Sequence, residues 1–386
     1  MHDDLDDGTS VVLAMPRPFA GGWERRLRVV QANWRPHVIS GAGHYGAGAP
    51  LALLAERLRE YVGDAPARDV GALALRMSMA LERLDDELKG PVPVFVEVSG
   101  SSATWPAWAR LLTDWAEASR NIPLTQRASL LVVVVGCPIS RLPPNSTALG
   151  VHTFRGVADE TDLLLYASHA FRVASLSSLH RRIAASVAAR VAVWEPDVVD
   201  ALAAETFTGI LDPWACLAEL ARKRGWNVDA VRCAREWAEG QEDAIGSMSH
   251  VSAAALALLG DRVAIQRRVW SGQVGVLMPF IEDRRQELLL HLEGKLHLPW
   301  QTTYKQINDA RDLEISHIEQ QVNSYGLRLP PALHDVLPKL TMMRNQLAHL
   351  EVVSASTLED PTILKVEHGV AVTYVPPRYS APVHGA

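Results

Sequence analysis

The chain up to Asp159 alternates short apolar runs with amphipathic segments. The apolar runs, in which β-branched residues predominate, lie at 11–15, 37–40, 92–98 and 130–135. Apolar residues at helical spacing predict helices at 51–62, 70–88 and 108–118. Apolar runs that are separated by helices are typical of strands covered on both faces. The pattern therefore predicts an α/β domain with a parallel sheet.

Beyond Asp159 the apolar residues follow a helical period almost to Ala355, and prolines mark the breaks between helices. Two long helices are predicted at 262–290 and 304–322, and a hairpin is predicted at 363–366 and 370–375. We predict all-α helical domains after the sheet domain and no strand between 160 and 355. The predicted segments are an α/β domain at 1–170, a helical linker at 171–260, a helical bundle at 261–357 and a hairpin and tail at 358–386.

Composition narrows the class of protein. The 386 residues are 48% hydrophobic and carry a formal net charge of −6, which argues against a broad nucleic-acid-coating surface. Cys137, Cys216 and Cys233 stand far apart, so neither a disulfide framework nor a zinc site is expected. The N-terminus is acidic, unlike a signal peptide, and the apolar run at 130–136 is too short to cross a bilayer. We expect a cytoplasmic chain with no membrane partner.

A glycine-rich loop at 41–50 follows the second apolar run and precedes a predicted helix, the context that nucleotide-binding motifs require. Gly41, Gly43 and Gly46 match the dinucleotide pattern, but no strand ending in an acidic residue follows about 20 residues later. As a phosphate-binding loop, the segment has Gly43 and Gly48 at the two glycine positions. The next two positions, which need Lys and Ser or Thr, are Ala49 and Pro50.

The glycine loop is followed by a strand ending near Glu97 and by a further strand at 130. This order is similar to that of P-loop NTPases of the STAND and AAA+ kind. The departures predict an inactive domain, because Ala49 cannot reach a phosphate and Pro50 lacks both a hydroxyl for Mg²⁺ and an N–H. We predict Gly43, Gly46 and Gly48 as a vestigial phosphate loop that needs no cofactor. An unrelated α/β domain with a glycine-rich turn and a working dinucleotide site are the alternatives.

The segment Arg344-Asn345-Gln346-Leu347-Ala348-His349 carries the other candidate chemistry. Five residues along a helix are about 140° beyond a full turn, so Arg344 and His349 can flank a groove. Arginine binds phosphate through two parallel hydrogen bonds, and histidine exchanges a proton near neutral pH. Together they suit a phosphodiester and need no metal.

The motif resembles the signature of HEPN domains, helical bundles many of which are metal-independent endoribonucleases in bacterial conflict and anti-phage systems. The resemblance implies His349 as general acid or base, Arg344 as the group that stabilises phosphate charge, and Asn345 as an orienting residue. It also implies RNA as substrate, a homodimer and a regulating partner protein. Trp270, Leu277 and Phe280 are predicted to supply the apolar dimer contact. The alternative is a non-catalytic adaptor that binds partner proteins.

Other candidates have ordinary structural explanations. The segment 99–102 lacks the elbow of a serine nucleophile, so a helix-capping loop is expected. The tryptophans in or just before the third predicted helix are expected in the core or in helix–helix packing, and two histidines near Lys295 are expected at the surface. These residues are Trp105, Trp108, Trp115, His291 and His297.

Overall fold

The computed structural model describes residues 9–17, 37–39, 50–59, 63, 69–82, 94–100, 103, 105–123 and 127–369. The chain divides into two compact units, each built from two separate stretches. Unit 1 is Met1–Asp159 with Ala221–Ala255, and unit 2 is Glu160–Leu220 with Leu256–Ala386. This division differs from the boundaries at 170, 260 and 357 that the sequence predicts.

Unit 1 contains the predicted parallel sheet. Its strands are β1 (Ser10–Met15), β2 (His37–Ile39), β3 (Val94–Ser99), β4 (Leu130–Val135) and β5 (Leu149–Thr153). The five strands are all parallel, in the order β2-β3-β4-β1-β5. Every residue of β4 is buried, as expected for an apolar strand in the middle of a sheet. The α/β prediction is confirmed, although β5, which carries glycine and polar residues, was not predicted.

The helices of the first stretch cover this sheet. They are α1 (Pro50–Arg57), α2 (Val70–Glu82) and α3 (Trp105–Ser119). The tryptophans of α3 lie in the core of unit 1, as predicted, with Trp105 1% and Trp115 0% exposed. Their indole N–H groups donate to backbone carbonyls, Trp105 to Arg141 at 3.0 Å and Trp115 to Ala128 at 3.1 Å. These bonds satisfy the one polar atom of each ring.

The prediction that strands end at Asp159 is wrong. Within 221–255 the chain forms an antiparallel hairpin of β6 (Glu242–Ile245) and β7 (Met248–Val251). The two residues between these strands are Gly246, with φ +60°, and Ser247, a sequence that favours a tight hairpin turn.

Unit 2 is mainly helical. Its first stretch contains α4 (Glu160–Ala170), α5 (Ser178–Ala192), α6 (Pro196–Ala203), α7 (Phe207–Leu211) and the start of α8 (Trp214–Lys223). α9 (Val228–Cys233) belongs to unit 1, and α10 (Ala253–Leu259) begins there and ends in unit 2. The remaining helices are α11 (Arg262–His291), α12 (Ile315–Tyr325), α13 (Pro331–Ala348), α14 (Ala355–Leu358) and α15 (Pro361–Lys365).

The long helix predicted at 262–290 is confirmed as α11, with Pro279 inside it. The helix predicted at 304–322 is wrong in its first half. There the chain forms the short hairpin of β8 (Trp300–Gln301) and β9 (Gln306–Ile307), and α12 begins only at Ile315, where Glu314 caps it. The first strand of the hairpin predicted at 363–366 is also wrong, because Asp360 caps the helix α15 there. Its second strand lies outside the described residues.

No helix within the described ranges combines the length and the apolar character that spanning a membrane would require.

Candidate functional site

The carboxyl edge of the unit 1 sheet is the first place to look for a ligand. Ligands of open parallel sheets bind beyond the carboxyl ends of the strands, where the connections diverge. β1 lies between β4 and β5, whereas the next strand, β2, lies at the far edge of the sheet. The carboxyl ends of β1 and β4 are therefore the expected position of a ligand.

An ion pair lies at this position. Arg17 follows β1 and packs on Gly136 at the end of β4, where an added Cβ would lie 2.8 Å from Cγ and Nε of Arg17. Nε of Arg17 lies 3.4 Å from Oε1 of Glu239. Burial raises the pKa of Glu239, and the charge of Arg17 partly opposes that rise. The guanidinium of Arg17, which could otherwise bind a phosphate here, is therefore paired with a carboxylate of the same chain.

The predicted acidic residue of this edge, Glu97, lies within β3 and not beyond its end. It is half-buried and pairs in register with Val133 of β4. Three residues later, Gly100 is packed against Cys137, where an added Cβ would lie 2.3 Å from the cysteine Cβ. Among the described residues, no group of three or more His, Cys, Asp or Glu side chains is arranged to hold a metal ion.

The glycine loop with Gly43, Gly46, Gly48 and Ala49 lies outside the described residues, so these site residues stay a prediction. Its context is known on both sides, because β2 precedes it and α1 begins at Pro50. In the dinucleotide fold the strand before the glycine loop is in the interior of the sheet. Among the described strands β2 lies at the edge of the sheet, which disfavours the dinucleotide alternative.

The thiol at the end of β4 has no nucleophilic character. Cys137 is fully buried, and burial raises its pKa to about 11, with a smaller opposing effect from Arg141. The thiol is therefore protonated at neutral pH, whereas a nucleophilic cysteine needs the thiolate. Neither Cys216 nor Cys233 is joined in a disulfide bond.

The second candidate site lies at the end of α13. Arg344 and Asn345 are in its last turns, and His349 is the residue that caps its C-terminus. The N–H of His349 donates to the carbonyls of Asn345 and Gln346 at 3.0 and 3.1 Å. Its side chain is exposed and has no hydrogen-bond partner among the described residues.

Arg344 is engaged by an acidic residue that the sequence analysis did not identify. Its Nη2 lies 2.6 Å from Oε2 of Glu314, the N-cap of α12, and the two side chains are 33% and 51% exposed. Nη1 of Arg344 makes a long contact of 3.5 Å with Oδ1 of Asn345. No hydrogen bond or ion pair within the described part of the chain joins Arg344 to His349.

Two polar contacts with α11, one part-buried and one buried, fix the end of α13 and the segment after it. The indole N–H of Trp270 donates to the carbonyl of Leu347 at 2.8 Å. The amide of Gln273, 0% exposed, donates to the carbonyl of Val353 and accepts its N–H, both at 2.8 Å. Between them Leu350 adopts φ +63°, which reverses the chain after His349. The motif is thus held on a rigid support, although nothing in its spacing indicated these partners.

The two histidines near Lys295 differ in exposure. His297 is exposed, as predicted, and its ring stacks on Tyr325 with centroids 3.7 Å apart. His291 is half-buried, and its Nε2 is enclosed without a hydrogen-bond partner among the described residues. At the end of β3, Ser101 and Ser102 lie outside the described residues.

Comparison with known proteins adds one structural likeness. No protein-family model matches the chain, and no curated protein sequence matches it. Among solved structures, it matches a Signal Transduction ATPase with Numerous Domains (STAND) protein with a tetratricopeptide repeat sensor from Pyrococcus horikoshii, at 8% sequence identity and a TM-score of 0.30. The match covers 95% of this chain and 55% of that protein, so the chain spans about half the length of this neighbour. A likeness of this size does not establish a shared fold.

Proposed function

We propose that the chain is a bacterial conflict or anti-phage protein in which a HEPN-like helical region cleaves RNA without a metal. The observation that carries the proposal is the motif itself, with an exposed, unpartnered His349 at the end of a rigidly held helix and Arg344 one and a half turns before it. The arginine is bound by a single, half-exposed carboxylate. Ion pairs of this kind contribute about 0–1 kcal/mol, so a phosphate can compete with Glu314 for the guanidinium.

In the proposed reaction, His349 takes the proton of the ribose 2′-hydroxyl or gives one to the leaving 5′-oxygen. The 2′-oxygen forms a bond to phosphorus as the bond to the 5′-oxygen breaks, which leaves a 2′,3′-cyclic phosphate. Arg344 stabilises the charge that develops on the phosphate oxygens. Asn345 orients the scissile phosphate or the arginine beside it.

Cleavage of single-stranded RNA by the purified full-length chain in EDTA tests this proposal. His349→Ala should lower the rate by about 10² to 10⁴, the usual contribution of a positioned acid or base. Arg344→Lys should also lose activity, since an ammonium group cannot form two parallel hydrogen bonds. His334→Ala is the matched control, because His334 is exposed on the same helix. The proposal fails if the wild type is inert on every RNA and both motif variants unfold.

Unit 1 is proposed as a nucleotide-binding-like domain that does not hydrolyse ATP. Support comes from Ala49 and Pro50 in the loop and from the Arg17–Glu239 ion pair at the sheet edge. Phosphate release from ATP should not exceed a blank, and Glu97→Gln should change nothing. Release well above the blank that Glu97→Gln abolishes would overturn this prediction.

The second candidate function is a non-catalytic adaptor. It is favoured by the fact that Arg17 and Arg344, the arginines of the two candidate sites, both have acidic partners within the chain. Such an adaptor would bind a partner protein and leave RNA intact. The cleavage assay above separates the two functions.

A further inference from the structure

An exposed cluster of aromatic rings lies around the β8–β9 hairpin of unit 2 and the C-terminal residue of α12. The ring of His297 stacks on Tyr325 at 3.7 Å with an interplanar angle of 25°, and Trp300 meets Tyr325 edge-on at 6.3 Å. Tyr325 is 48% exposed, although nearby apolar residues are buried. We call His297, Trp300, Tyr304 and Tyr325 the aromatic surface.

Hydrogen bonds fix the backbone at His297 and at Tyr304. Gln321, 0% exposed, accepts the N–H of His297 at 2.8 Å and donates to its carbonyl at 3.3 Å. At the hairpin tip, the hydroxyl of Thr302 accepts the N–H groups of Tyr304 and Lys305 and donates to the carbonyl of Lys305. This turn presents Tyr304 with 96% of its surface exposed. Its ring contributes little to the core and is free on both faces.

The two segments that carry these rings contain basic residues and no acidic ones, although the chain as a whole is acidic. Asp and Glu make up 44 of 386 residues, about one in nine. Nevertheless, neither occurs in 294–308 or in 320–334, the two segments that carry the rings. The same segments contain Lys295, Lys305 and Arg328, and none of these has an acidic partner among the described residues.

We propose that the aromatic surface binds single-stranded RNA, with bases stacked on Tyr304 and Tyr325 and phosphates paired with Lys305 and its neighbouring cations. Exposed rings offer a stacking face to any unpaired base, and cations beside them attract the backbone. Stacking and phosphate pairing would serve DNA as well. The choice of RNA rests on the proposed function.

The test is binding of a fluorescent 12-nucleotide single-stranded RNA to the full-length chain, measured by anisotropy at low salt in EDTA. All proteins carry His349→Ala so that the probe stays intact. Tyr304→Ala should weaken binding by about 5- to 150-fold, the range for loss of one stacked base, and Tyr304→Phe should restore it. Val173→Ala, at a residue 86% exposed outside the cluster, is the control and should bind like its parent.

Because Tyr304 is almost wholly exposed, its variants should fold, and circular dichroism checks this. Lys305→Ala should weaken binding further and lower the dependence of affinity on salt. The proposal is overturned if the parent does not bind RNA, if Tyr304→Ala binds as well as the parent, or if only a DNA strand of the same sequence binds. Binding that depends on Tyr304 in a chain that cleaves nothing would support this surface and reject the nuclease.

Discussion

Asp243 joins two parts of unit 1 that are distant in sequence. Its carboxylate is 3% exposed and accepts the N–H of Gly156 through both oxygens at 3.2 Å, as well as its neighbour's N–H at 2.8 Å. Gly156 has φ +64°, and an added Cβ would lie 2.3 Å from the carbonyl oxygen of Ala244. Burial raises the pKa of Asp243 from its ordinary value of 3.8, although these hydrogen bonds and the nearby Arg155 and His250 oppose the rise.

This raised pKa predicts a defined pH dependence of stability. In the folded chain Asp243 holds its proton to a higher pH than in the unfolded chain, so its contribution to stability is full below 3.8 and declines as the pH rises through the folded pKa. Asp243→Asn removes the titration and keeps one acceptor oxygen. Urea unfolding is measured from pH 3.5 to 7.5 for both proteins. The free energy of unfolding of the wild type minus that of the variant should fall as the pH rises. A constant difference would contradict the prediction.

The position of the motif residues could be predicted from the sequence, but the contacts of their side chains could not. These residues are Arg344, Asn345 and His349. Their placement at the end of a helix follows from the local pattern, and the structure confirms that placement. Glu314 could not be inferred, because it reaches Arg344 only through the packing of α12 beside α13. The spacing of residues within the motif does not indicate a partner that lies thirty residues away in the sequence.

At the scale of elements, close backbone contact between α5 and α11 depends on one glycine. A Cβ added at Gly272 would lie 2.5 Å from Cα and 2.8 Å from N of Val187. The carbonyl of Gly272 also accepts the hydroxyl of Ser186 at 2.8 Å. No side chain fits between these helices without moving one of them.

Gly272→Ala should therefore destabilise the protein by about 1–3 kcal/mol, the usual cost of overpacking. Gly275→Ala is a matched control on the same helix, where the added methyl would meet only Oγ of Ser186 at 3.6 Å. That change should stabilise by about 0.5–1 kcal/mol, because glycine is a poor helix former. Thermal unfolding of both variants measures the difference. Equal changes in stability for the two variants would contradict the prediction, because they would show that α5 and α11 can move apart without a loss of stability.

Elements with strong patterns were predictable, and short ones were not. The strand β4 is an uninterrupted apolar run, and the helix α11 is a long segment with recurring apolar residues and one internal proline. The hairpins β6–β7 and β8–β9 are too short for a period, so only their turn residues could have indicated them. The helix α15 depends on its Asp360-Pro361 start, which outweighed the β-branched residues that suggested a strand.

At the scale of the molecule, the predicted source of the dimer contact is wrong, while the homodimer itself stays a proposal. Leu277 and Phe280 are buried within the chain, and Trp270 donates its N–H to Leu347. Apolar side chains that do face outward beside the motif are Met342, 41% exposed, and Leu350, 59% exposed. They place a candidate interface next to Arg344 and His349.

Light scattering of the full-length chain at micromolar concentration should give twice its mass of 42.3 kDa, since two-fold dimers are the commonest oligomers. Met342→Glu should halve that mass, because it puts a charge in the apolar contact. Val173→Glu, at an exposed residue between α4 and α5, should leave the dimer intact. If the wild type is a monomer, the homodimer proposal is wrong, and the site cannot be a cleft formed between two copies of the chain.

Unit 1 is built from two stretches of the chain, and the ribosome makes unit 2 residues between them. All five sheet strands have been synthesised once Thr153 is added. Trp237 and Ala238, which join the same core, and Asp243, which accepts the N–H of Gly156, are added more than 80 residues later. At about 5–20 residues per second, the sheet waits several seconds with that part of its core unfilled. During this interval the nascent sheet exposes apolar surface that the later residues will cover, and intermediates of this kind are prone to aggregate.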